Sequence, residues 1–531
     1  MGKKQTLLLF IIASLVLYSC ESSFNHLVPI YEGPGGGREG GKFYAQNMVN
    51  NRFYSLYAEK LWDEEDDLNT KCVIWAEKGS GAKKEDARKI AKEYNKQIYP
   101  KVMDVFGAKK KYIDKFGNDD REVASDTMGF ADYYGDGDGK LCILLLTIRD
   151  GFNPPKSQSY IAGYFSYYDF TRYDPGNSYT FYSNECDMIY IDAKYITSPY
   201  NLSDPYKTLA HEMQHLMNYV TSIDKRFNGQ TIRLMDTWID EGLSSAAEWV
   251  YSKTHNEERI KWYNDDPTGC IANGNNFFVW GNHVTGTNGD PDAILDDYAT
   301  VYLFFQWLRL QAGAGAGIYN TIINSANSDY TAVTAAAKAQ ISGSYSDWGI
   351  LLRDWIAANY IRSPDTIYGY RNESSLDKLI PTVIYGKESK NYYVDLYPGE
   401  GVYTKRLSWP SSQPEFIRCA GLKKQADYIS DTTVTGYDVL LTYNANSSNR
   451  GGLTRVSIPI SASISQQAPR DTGMNSLSSS RSLTGQPEAG QPETRHREPY
   501  AISAGDMLGR NGYGDEERGR RFSGLPRNRN R

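Results

Sequence analysis

Two histidines four residues apart, with a glutamate directly after the first, most constrain what this chain can fold into. His211, Glu212 and His215 form the pattern His-Glu-x-x-His. Residues four apart lie on one face of an α-helix, so both imidazoles can bind one metal ion, and Glu212 lies beside it. The chain has only 6 histidines among 531 residues, so a chance match needs two of them at one fixed spacing. The motif predicts a zinc hydrolase centre on a helix.

The flanking residues predict that this helix is amphipathic. Asp204 and Pro205 are the residue types favoured at the N-cap and at the first helical position. Apolar residues recur at spacings of three or four, namely Leu209, Met213, Leu216 and Val220. This periodicity is typical of a helix with one buried face, and it places the motif in the middle of the helix.

The third metal ligand must come from another segment. Asn218 and Thr221 stand where the metzincin pattern needs a glycine and a third histidine. Further on, Thr237 and Asp240 predict a capping-box-like start of a second helix, with Glu241 in its first turn. Because catalytic zinc sites commonly combine two histidines, one glutamate and an open position, Glu241 is the predicted third ligand.

Two neighbouring carboxylates compete with Glu241. Asp240 precedes it, and Glu248 lies seven residues further on, on nearly the same helix face. Glu248 can alternatively orient a ligating histidine without binding the metal itself. Glu241 can also be an ordinary carboxylate that interacts with the helix dipole.

The motif and the segment 238–242, Trp-Ile-Asp-Glu-Gly, together resemble the gluzincin metallopeptidases, in which Trp-x-x-Glu-Gly supplies the glutamate ligand. More narrowly, about residues 42–385 resemble the hyicolysin family of zinc metallopeptidases. The segments that carry this second resemblance are 136–140 followed by 141–148, then 162–165, 183–184 and 298–308. The resemblance implies that the chain is a peptidase with protein or peptide substrates.

The gluzincin resemblance also implies a Tyr or His, on a later helix, that donates to the oxyanion of the tetrahedral intermediate. Residues 298–309 predict a buried helix, with Tyr298 and Tyr302 one turn apart on one face. Tyr298 is the first candidate, followed by Tyr302 and by His283 in the Asn-, Asp- and Gly-rich segment 264–292. A packed core tyrosine is the alternative for both, because buried aromatic residues are ordinary.

The order of the predicted elements favours an α+β fold: a zincin-like domain in which a mixed sheet precedes the active-site helices. Strands are expected at 53–61, 71–76, 141–148, 160–165 and 188–192, and helices at 83–106, with a break at Pro100, and at 347–360. In zincins an edge strand of the sheet often pairs with an extended substrate, which is binding by strand addition. Alternating runs at 392–396, 402–407, 437–443 and 453–460 predict a small C-terminal β-sandwich.

The N-terminus predicts export and a lipid anchor. Lys3 and Lys4 precede an apolar run at 7–17, and the run ends at Cys20. This resembles a bacterial lipoprotein signal with Cys20 as the lipidated residue, although Tyr18 departs from the small residue preferred there. The run is shorter than the roughly 20 residues of a membrane-spanning helix. The expected location is therefore the bacterial cell envelope, with the membrane contacted through the lipid.

These features divide the chain into five predicted parts. They are a lipoprotein signal (1–20), a Gly-rich linker (21–41), the zincin-like domain (42–388), the β-sandwich (389–465) and a disordered tail (466–531) poor in apolar residues. A net charge of −6 gives no basic surface for nucleic acid, so that partner is not expected. The five cysteines other than Cys20 show no Cys-x-x-Cys spacing, and we infer from them neither a disulfide framework nor a zinc ligand.

An acidic segment raises the question of a second metal. Asp132, Asp136 and Asp138, with Gly137 and Gly139, resemble part of a calcium loop, although the bidentate glutamate of an EF-hand is missing. Asp and Gly are also the usual residues of tight turns, so Ca²⁺ and a plain turn both stay open.

The sequence thus predicts a lipid-anchored zinc endopeptidase, with Glu212 as general base and Zn²⁺ bound by His211, His215 and Glu241. The alternative is a surface adhesin that uses the same scaffold with weak or absent catalysis, because a fold does not fix a biological task. Neither the oligomeric state nor the cleavage preference follows from the sequence.

Overall fold

The computed structural model describes most of the region between residues 41 and 460, together with one short segment beyond it. The described residues are 41–107, 140–152, 159–170, 180–197, 205–226, 233–274, 277–278, 280–281, 291–385, 392–405, 416–423, 439–447, 456–460 and 500–503.

A mixed β-sheet forms the first part of the fold. Its strands in chain order are β1 (Lys42–Asn47), β2 (Arg52–Trp62), β3 (Cys72–Glu77), β4 (Leu141–Leu146), β5 (Ser159–Phe165) and β6 (Met188–Asp192). They lie side by side in the order β1-β2-β3-β4-β6-β5. Strands β3, β4 and β6 are mutually parallel, while the other neighbouring pairs among these six are antiparallel. Every residue of β4 and β6 is buried, as expected of central parallel strands covered on both faces.

Helices cover the sheet and make up most of the second part. In chain order they are α1 (Lys84–Glu93), α2 (Tyr99–Phe106), α3 (Lys194–Thr197), α4 (Pro205–Arg226), α5 (Thr237–Ser252), α6 (Glu257–Asp265), α7 (Ile294–Gln311), α8 (Gly317–Ile323), α9 (Tyr330–Gln340) and α10 (Trp348–Ile361). Helix α7 is buried along its whole length and contacts α5, α6 and α8. The described fold therefore combines a mixed sheet with helices, which is compatible with the predicted α+β fold, while the zincin-like assignment stays a prediction.

The predicted break at Pro100 takes the form of a π-helical turn. Residues Tyr94–Ile98 form this turn between α1 and α2, and Pro100 lies within the first two positions of α2. Proline has no backbone N–H to donate and its ring crowds the preceding turn, so the regular hydrogen-bond ladder cannot run through it. The chain thus passes from α1 to α2 through a change of helix type.

The C-terminal strands form two small sheets. The strands are β7 (Ile384–Tyr385), β8 (Tyr392–Leu396), β9 (Gly401–Lys405), β10 (Ile417–Leu422), β11 (Val439–Asn444) and β12 (Val456–Ile460). One sheet has the order β10-β11-β9-β7, and the other pairs β12 with β8. The sequence analysis missed β10. Tyr403 of β9 donates its hydroxyl to the carbonyl of Ile356 in α10 at 2.6 Å, so the first sheet packs on the helices. A β-sandwich over 389–465 stays a prediction.

One segment of the predicted disordered tail is a strand. Strand β13 (Tyr500–Ser503) pairs in parallel with β5 and extends the sheet at that edge. Disorder is therefore the wrong prediction for these residues. The physical reason is that an edge strand presents unpaired backbone groups, and a tail segment can satisfy them.

Several predictions concern residues outside the described part of the chain. These are the signal and Cys20, the acidic residues Asp132, Asp136 and Asp138, and His283. The cysteines that the structure describes are all buried free thiols, namely Cys72, Cys142, Cys186, Cys270 and Cys419. Within the described helices, none combines the length and the apolar character needed to cross a membrane.

A buried carboxyl group couples the helical part of the fold to pH. Asp296 of α7 is fully buried and accepts hydrogen bonds from Trp262 Nε1 at 2.6 Å and from the Thr268 hydroxyl at 2.7 Å. Burial raises the pKa of Asp296 to about 7, although these two hydrogen bonds lower it. In the unfolded chain the pKa is about 4. Folding therefore favours the protonated form, and its stabilising contribution is complete below about pH 4 and lost as the pH rises through about 7.

We expect Asp296→Asn to have a higher free energy of unfolding than the wild type. The increase should be greater at pH 8 than at pH 5, by on the order of 2 kcal/mol. The amide keeps the shape and cannot ionise. Denaturant unfolding at both pH values measures the difference. Asp265→Asn is the control, because the Asp265 side chain is 55% exposed. A gain for Asp296→Asn that does not change with pH would contradict this account.

Candidate metal centre

Helix α4 places the two histidines of the motif on its buried face. His211 and His215 are 5% and 6% exposed, and their ring centroids lie 4.9 Å apart. Four residues make slightly more than one helical turn, so the rings project in the same direction at this separation. Helix α4 packs on β5 and β6 on one side and on α5 on the other, and the histidines face α5.

Helix α5 brings a carboxylate to the same point. Glu241 Oε2 lies 3.2 Å from His211 Nε2 and 3.4 Å from His215 Nε2. One ligand atom from each of the three residues lies within 4.8 Å of the other two. Within the described part of the chain, these three side chains form the group whose ligand atoms lie close enough together to bind one metal ion.

The pKa values of the three side chains depend on their burial and on one another. Burial lowers the pKa of His211, but hydrogen bonds to Glu241 and Glu248 outweigh it and raise the pKa to about 9. Burial raises the pKa of Glu241, but His215 and His211 hold it well below its usual range. The imidazoles thus favour the ionised form of the Glu241 carboxylate, and that carboxylate favours positive charge at the point where the three side chains meet. The donor set of two imidazoles and one carboxylate is the one zinc prefers in catalytic sites.

Helix α5 starts one residue earlier than the sequence analysis expected. Asp236, and not Thr237, is its N-cap, so Asp240 completes the first turn and Glu241 begins the second. The prediction of Glu241 as a first-turn residue is therefore wrong. The pattern Thr-x-x-Asp resembled a capping box, but Asp236 is itself a favoured N-cap residue and already holds the position before it.

Gly242 lets α5 approach α7 closely. A Cβ atom built on Gly242 would lie 2.3 Å from Cε2 of Phe305, and the whole Phe305 ring edge lies within 2.9 Å of it. Any larger residue would push α5 away from α7 and towards α4. Because Gly242 follows Glu241, this contact fixes the depth at which the Glu241 carboxylate sits.

The other imidazole nitrogens are each held by a carboxylate. His211 Nδ1 lies 2.9 Å from Glu248 Oε1, and His215 Nδ1 lies 3.0 Å from Asp240 Oδ2. Asp240 and Glu248 were the alternatives to Glu241 as third ligand. Their contacts are with the Nδ1 atoms, so neither competes for the Nε2 side where the three ligand atoms meet. Carboxylates in this position fix the ring orientation and the tautomer of a ligating histidine.

Glu212 lies beside the cluster with an uncommitted oxygen. The residue is 1% exposed, and its Oε2 has no hydrogen-bond partner among the described residues. Burial raises the pKa of Glu212 to about 7, His211 and His215 lower it, and the Glu241 charge raises it further. The carboxyl group can therefore hold and release a proton near neutral pH.

The two tyrosines considered as oxyanion donors, Tyr298 and Tyr302, make different contacts. The ring of Tyr298 lies 6.4 Å from the ring of His211, and the guanidinium of Arg259 lies 4.4 Å from the Tyr298 ring centroid. Its role as oxyanion donor stays a prediction. The hydroxyl of Tyr302 lies 2.8 Å from His255 Nδ1 and accepts a hydrogen bond from the backbone N–H of Asn256 at 3.0 Å. Tyr302 therefore ties α7 to the start of α6, and its role as the alternative oxyanion donor also stays a prediction.

The sequence analysis missed the polar residues that hold the two supporting carboxylates. Asn256 Nδ2 donates to Glu248 Oε2 at 3.1 Å, and Asn218 Nδ2 donates to Asp240 Oδ1. Buried Arg226 in turn contacts Asn218. In the sequence, Asn218 is a departure from the metzincin pattern, and Arg226 resembles an ordinary basic residue at a helix C-terminus. The contact of Asn218 with Asp240 joins α4 to α5, and Arg226 reaches Asn218 across eight residues of α4, so neither contact follows from the usual spacing of three or four residues.

Comparison with known proteins agrees with a metallopeptidase. No family model matches the chain. The chain is similar to the neutral metalloprotease ShpI of Staphylococcus hyicus, with 29% identity over 299 residues. The match covers 56% of this chain and 58% of that protein, so the chain spans little more than half the length of this curated relative. The similarity supports a metallopeptidase family, while the narrower hyicolysin assignment stays a prediction.

We expect Gly242→Ala to lower the free energy of unfolding by about 1–3 kcal/mol, the usual cost of overpacking a core. The added methyl group would overlap the ring of Phe305. Thermal unfolding measures the loss. Gly315→Ala is the matched control, because a Cβ at Gly315 meets no atom within 4 Å. Equal melting temperatures for the two variants would show that α5 can move without cost.

Proposed function

We propose that the protein is a zinc-dependent endopeptidase that is held at a bacterial membrane by an N-terminal lipid. The observation that carries the catalytic part is the meeting of His211, His215 and Glu241 at one buried point, with Glu212 beside it. The similarity to a neutral metalloprotease supports the same conclusion independently of this geometry.

His211 Nε2, His215 Nε2 and a Glu241 carboxylate oxygen would hold the ion. Zinc in this place supplies Lewis-acid polarisation of the scissile carbonyl and lowers the pKa of water toward about 7. Three protein ligands leave the coordination position that a catalytic site needs. A purely structural site would close that position with a further Cys or His, and no such side chain joins the group among the described residues.

Glu212 is the general base and acid. Its carboxylate takes a proton from the attacking water and passes the proton to the leaving amine, which is acid–base work by one group. A pKa of about 7 suits both directions of transfer near neutral pH. The uncommitted Oε2 allows the group to accept the proton without first breaking a hydrogen bond to the protein. Tyr298, next to His211, is the proposed donor to the developing oxyanion.

The substrate is proposed to bind in an extended form along β5, which lies against α4. Strand addition uses backbone hydrogen bonds and therefore tolerates many sequences. The outer edge of β5 is paired with β13 in this structure, so a peptide that adds there would take the place of residues 500–503.

The membrane attachment rests on the N-terminal sequence alone. A short apolar run preceded by two lysines and ending in Cys20 is the pattern for a lipidated envelope protein. A surface adhesin is the second candidate function, because the same anchor and scaffold would serve binding without turnover. Turnover of an unstructured protein distinguishes the two.

We expect the lipid-free chain, residues 21–531, to hydrolyse casein when it is loaded with zinc. Glu212→Gln should bind zinc equally well but lose at least about 100-fold in kcat, because the amide cannot take the proton. Zinc content by atomic absorption and casein turnover are measured on the same samples, with a chelated wild type as control. Full activity in zinc-loaded Glu212→Gln would contradict the role of Glu212 as general base. A wild type that is folded and zinc-loaded but inactive would favour the adhesin.

We expect Cys20→Ser to release the protein from the membrane fraction when the full chain is expressed in a bacterium. A single thiol is the site to which the lipid is joined, and serine cannot replace it. Fractionation followed by immunoblotting reads the result. Cys72→Ser is the control, because Cys72 is a buried thiol inside the fold. Continued membrane retention of Cys20→Ser would argue against lipid anchoring.

A further inference from the structure

Helix α4 ends in a buried arginine that no catalytic step uses. Arg226 is 2% exposed, although arginine is among the residue types that are least often buried. Its Nη1 donates to the carbonyl oxygens of Ile323 and Ser325, both at 3.0 Å, at the end of α8. These are neutral partners. Burying a guanidinium against them costs free energy, so its other contacts are of interest.

The other nitrogen of Arg226 starts a chain of hydrogen bonds that ends at the metal centre. Nη2 donates to Asn218 Oδ1 at 3.1 Å and to the Ser222 hydroxyl at 2.6 Å. Asn218 Nδ2 then donates to Asp240 Oδ1. The second oxygen of Asp240 lies 3.0 Å from His215 Nδ1.

The donor and acceptor chemistry gives this chain one direction. A guanidinium can only donate, so Asn218 must turn its oxygen to Arg226 and its NH₂ group to Asp240. An ionised carboxylate can only accept, so His215 Nδ1 must carry a proton and donate it to Asp240. In the neutral imidazole this leaves the lone pair on Nε2, the atom that faces Glu241.

Asp240 needs this support more than Glu248 does. The Asp240 side chain is 32% exposed, against 13% for Glu248. An Asp240 carboxylate without Asn218 could turn into solvent, because water would satisfy it at little cost. The ring of His215 would then lose the partner that fixes its tautomer.

We propose that Arg226 is a positioning residue for the metal centre, which acts through Asn218 and Asp240 to set the tautomer and orientation of His215. The proposal rests on the proposed zinc site and goes beyond it, since it makes zinc affinity depend on a contact between α4 and α8. A purely structural role of Arg226 would change the stability of the metal-free protein and leave zinc affinity unchanged.

The test compares zinc affinity in Arg226→Met, Asn218→Leu and the double variant. Affinity is measured by competition with a chromophoric chelator on folded, metal-free chain, well below its melting temperature. We expect each single variant to bind zinc about 10–100-fold more weakly, the usual effect of losing an outer contact to a ligand. The double variant should bind zinc no more weakly than the single variant with the lower affinity, because both substitutions break the same chain of hydrogen bonds. Arg226→Lys should recover part of the affinity, since its ammonium can donate to Asn218.

Two further measurements separate positioning from folding. Cobalt-loaded Arg226→Met should show a visible absorption spectrum different from the wild type, because the ligand field changes when His215 turns. Asn320→Ala is the matched control. Asn320 Nδ2 donates to the Val105 carbonyl at 2.8 Å and ties α8 down without touching the chain of hydrogen bonds. This variant should lose thermal stability and keep full zinc affinity and the wild-type cobalt spectrum.

Three outcomes would overturn the proposal. The first is wild-type zinc affinity in folded Arg226→Met. The second is a loss of zinc affinity in the double variant that equals the sum of the two single losses, since additive losses would show two independent effects. If Arg226→Met does not fold, Arg226→Lys takes its place in the cycle and the additivity criterion alone applies: a loss of zinc affinity in Arg226→Lys that adds in full to the loss in Asn218→Leu would overturn the proposal. The third is a wild type that binds no zinc at this site, as judged against Glu241→Gln, which would remove the proposed function as well.

Discussion

The packing of α4 against α5 is the constraint on which the rest of the site depends. Two ligands come from one helix and the third from the other, so a small change in the distance between the helices would separate the ligand atoms. The pair is fixed from both sides. The Ser244 hydroxyl of α5 donates to Gln214 Oε1 of α4 across the interface, and Phe305 of α7 lies against Gly242 on the far side. Close packing transmits such constraints because interiors have little free volume.

The site concentrates buried charge in a way that only a cation can balance. Glu212, Glu241 and Glu248 converge on His211, and all four side chains are largely removed from water. Like charges at this separation raise each other's free energy unless a positive charge lies between them. A divalent ion bound at this point would balance their charge, which would link its binding to the stability of the helices around it.

The two histidines are supported in different ways. Glu248, which contacts His211, accepts a hydrogen bond from Asn256 at the start of the next helix, so the support of His211 comes from residues close together in sequence. Asp240 supports His215, and the chain of contacts behind it reaches through Asn218 and Arg226 to α8, about 100 residues away in sequence. The described contacts behind Asp240 thus extend further along the chain than the contact behind Glu248.

The sequence by itself determined the local elements and the identity of the ligands. Helical periodicity places His211, Glu212 and His215 together as candidates, and the ligand chemistry of zinc makes Glu241 the first candidate for the third ligand, with Asp240 and Glu248 as alternatives. Only the tertiary structure decided which polar groups support them. The contact of Tyr302 with His255, the pairing of β13 with β5 and the contact of Asn218 with Asp240 all join residues of different elements. Such contacts leave no periodic signal in the sequence, since a buried polar side chain takes whichever partner the fold brings within hydrogen-bonding distance.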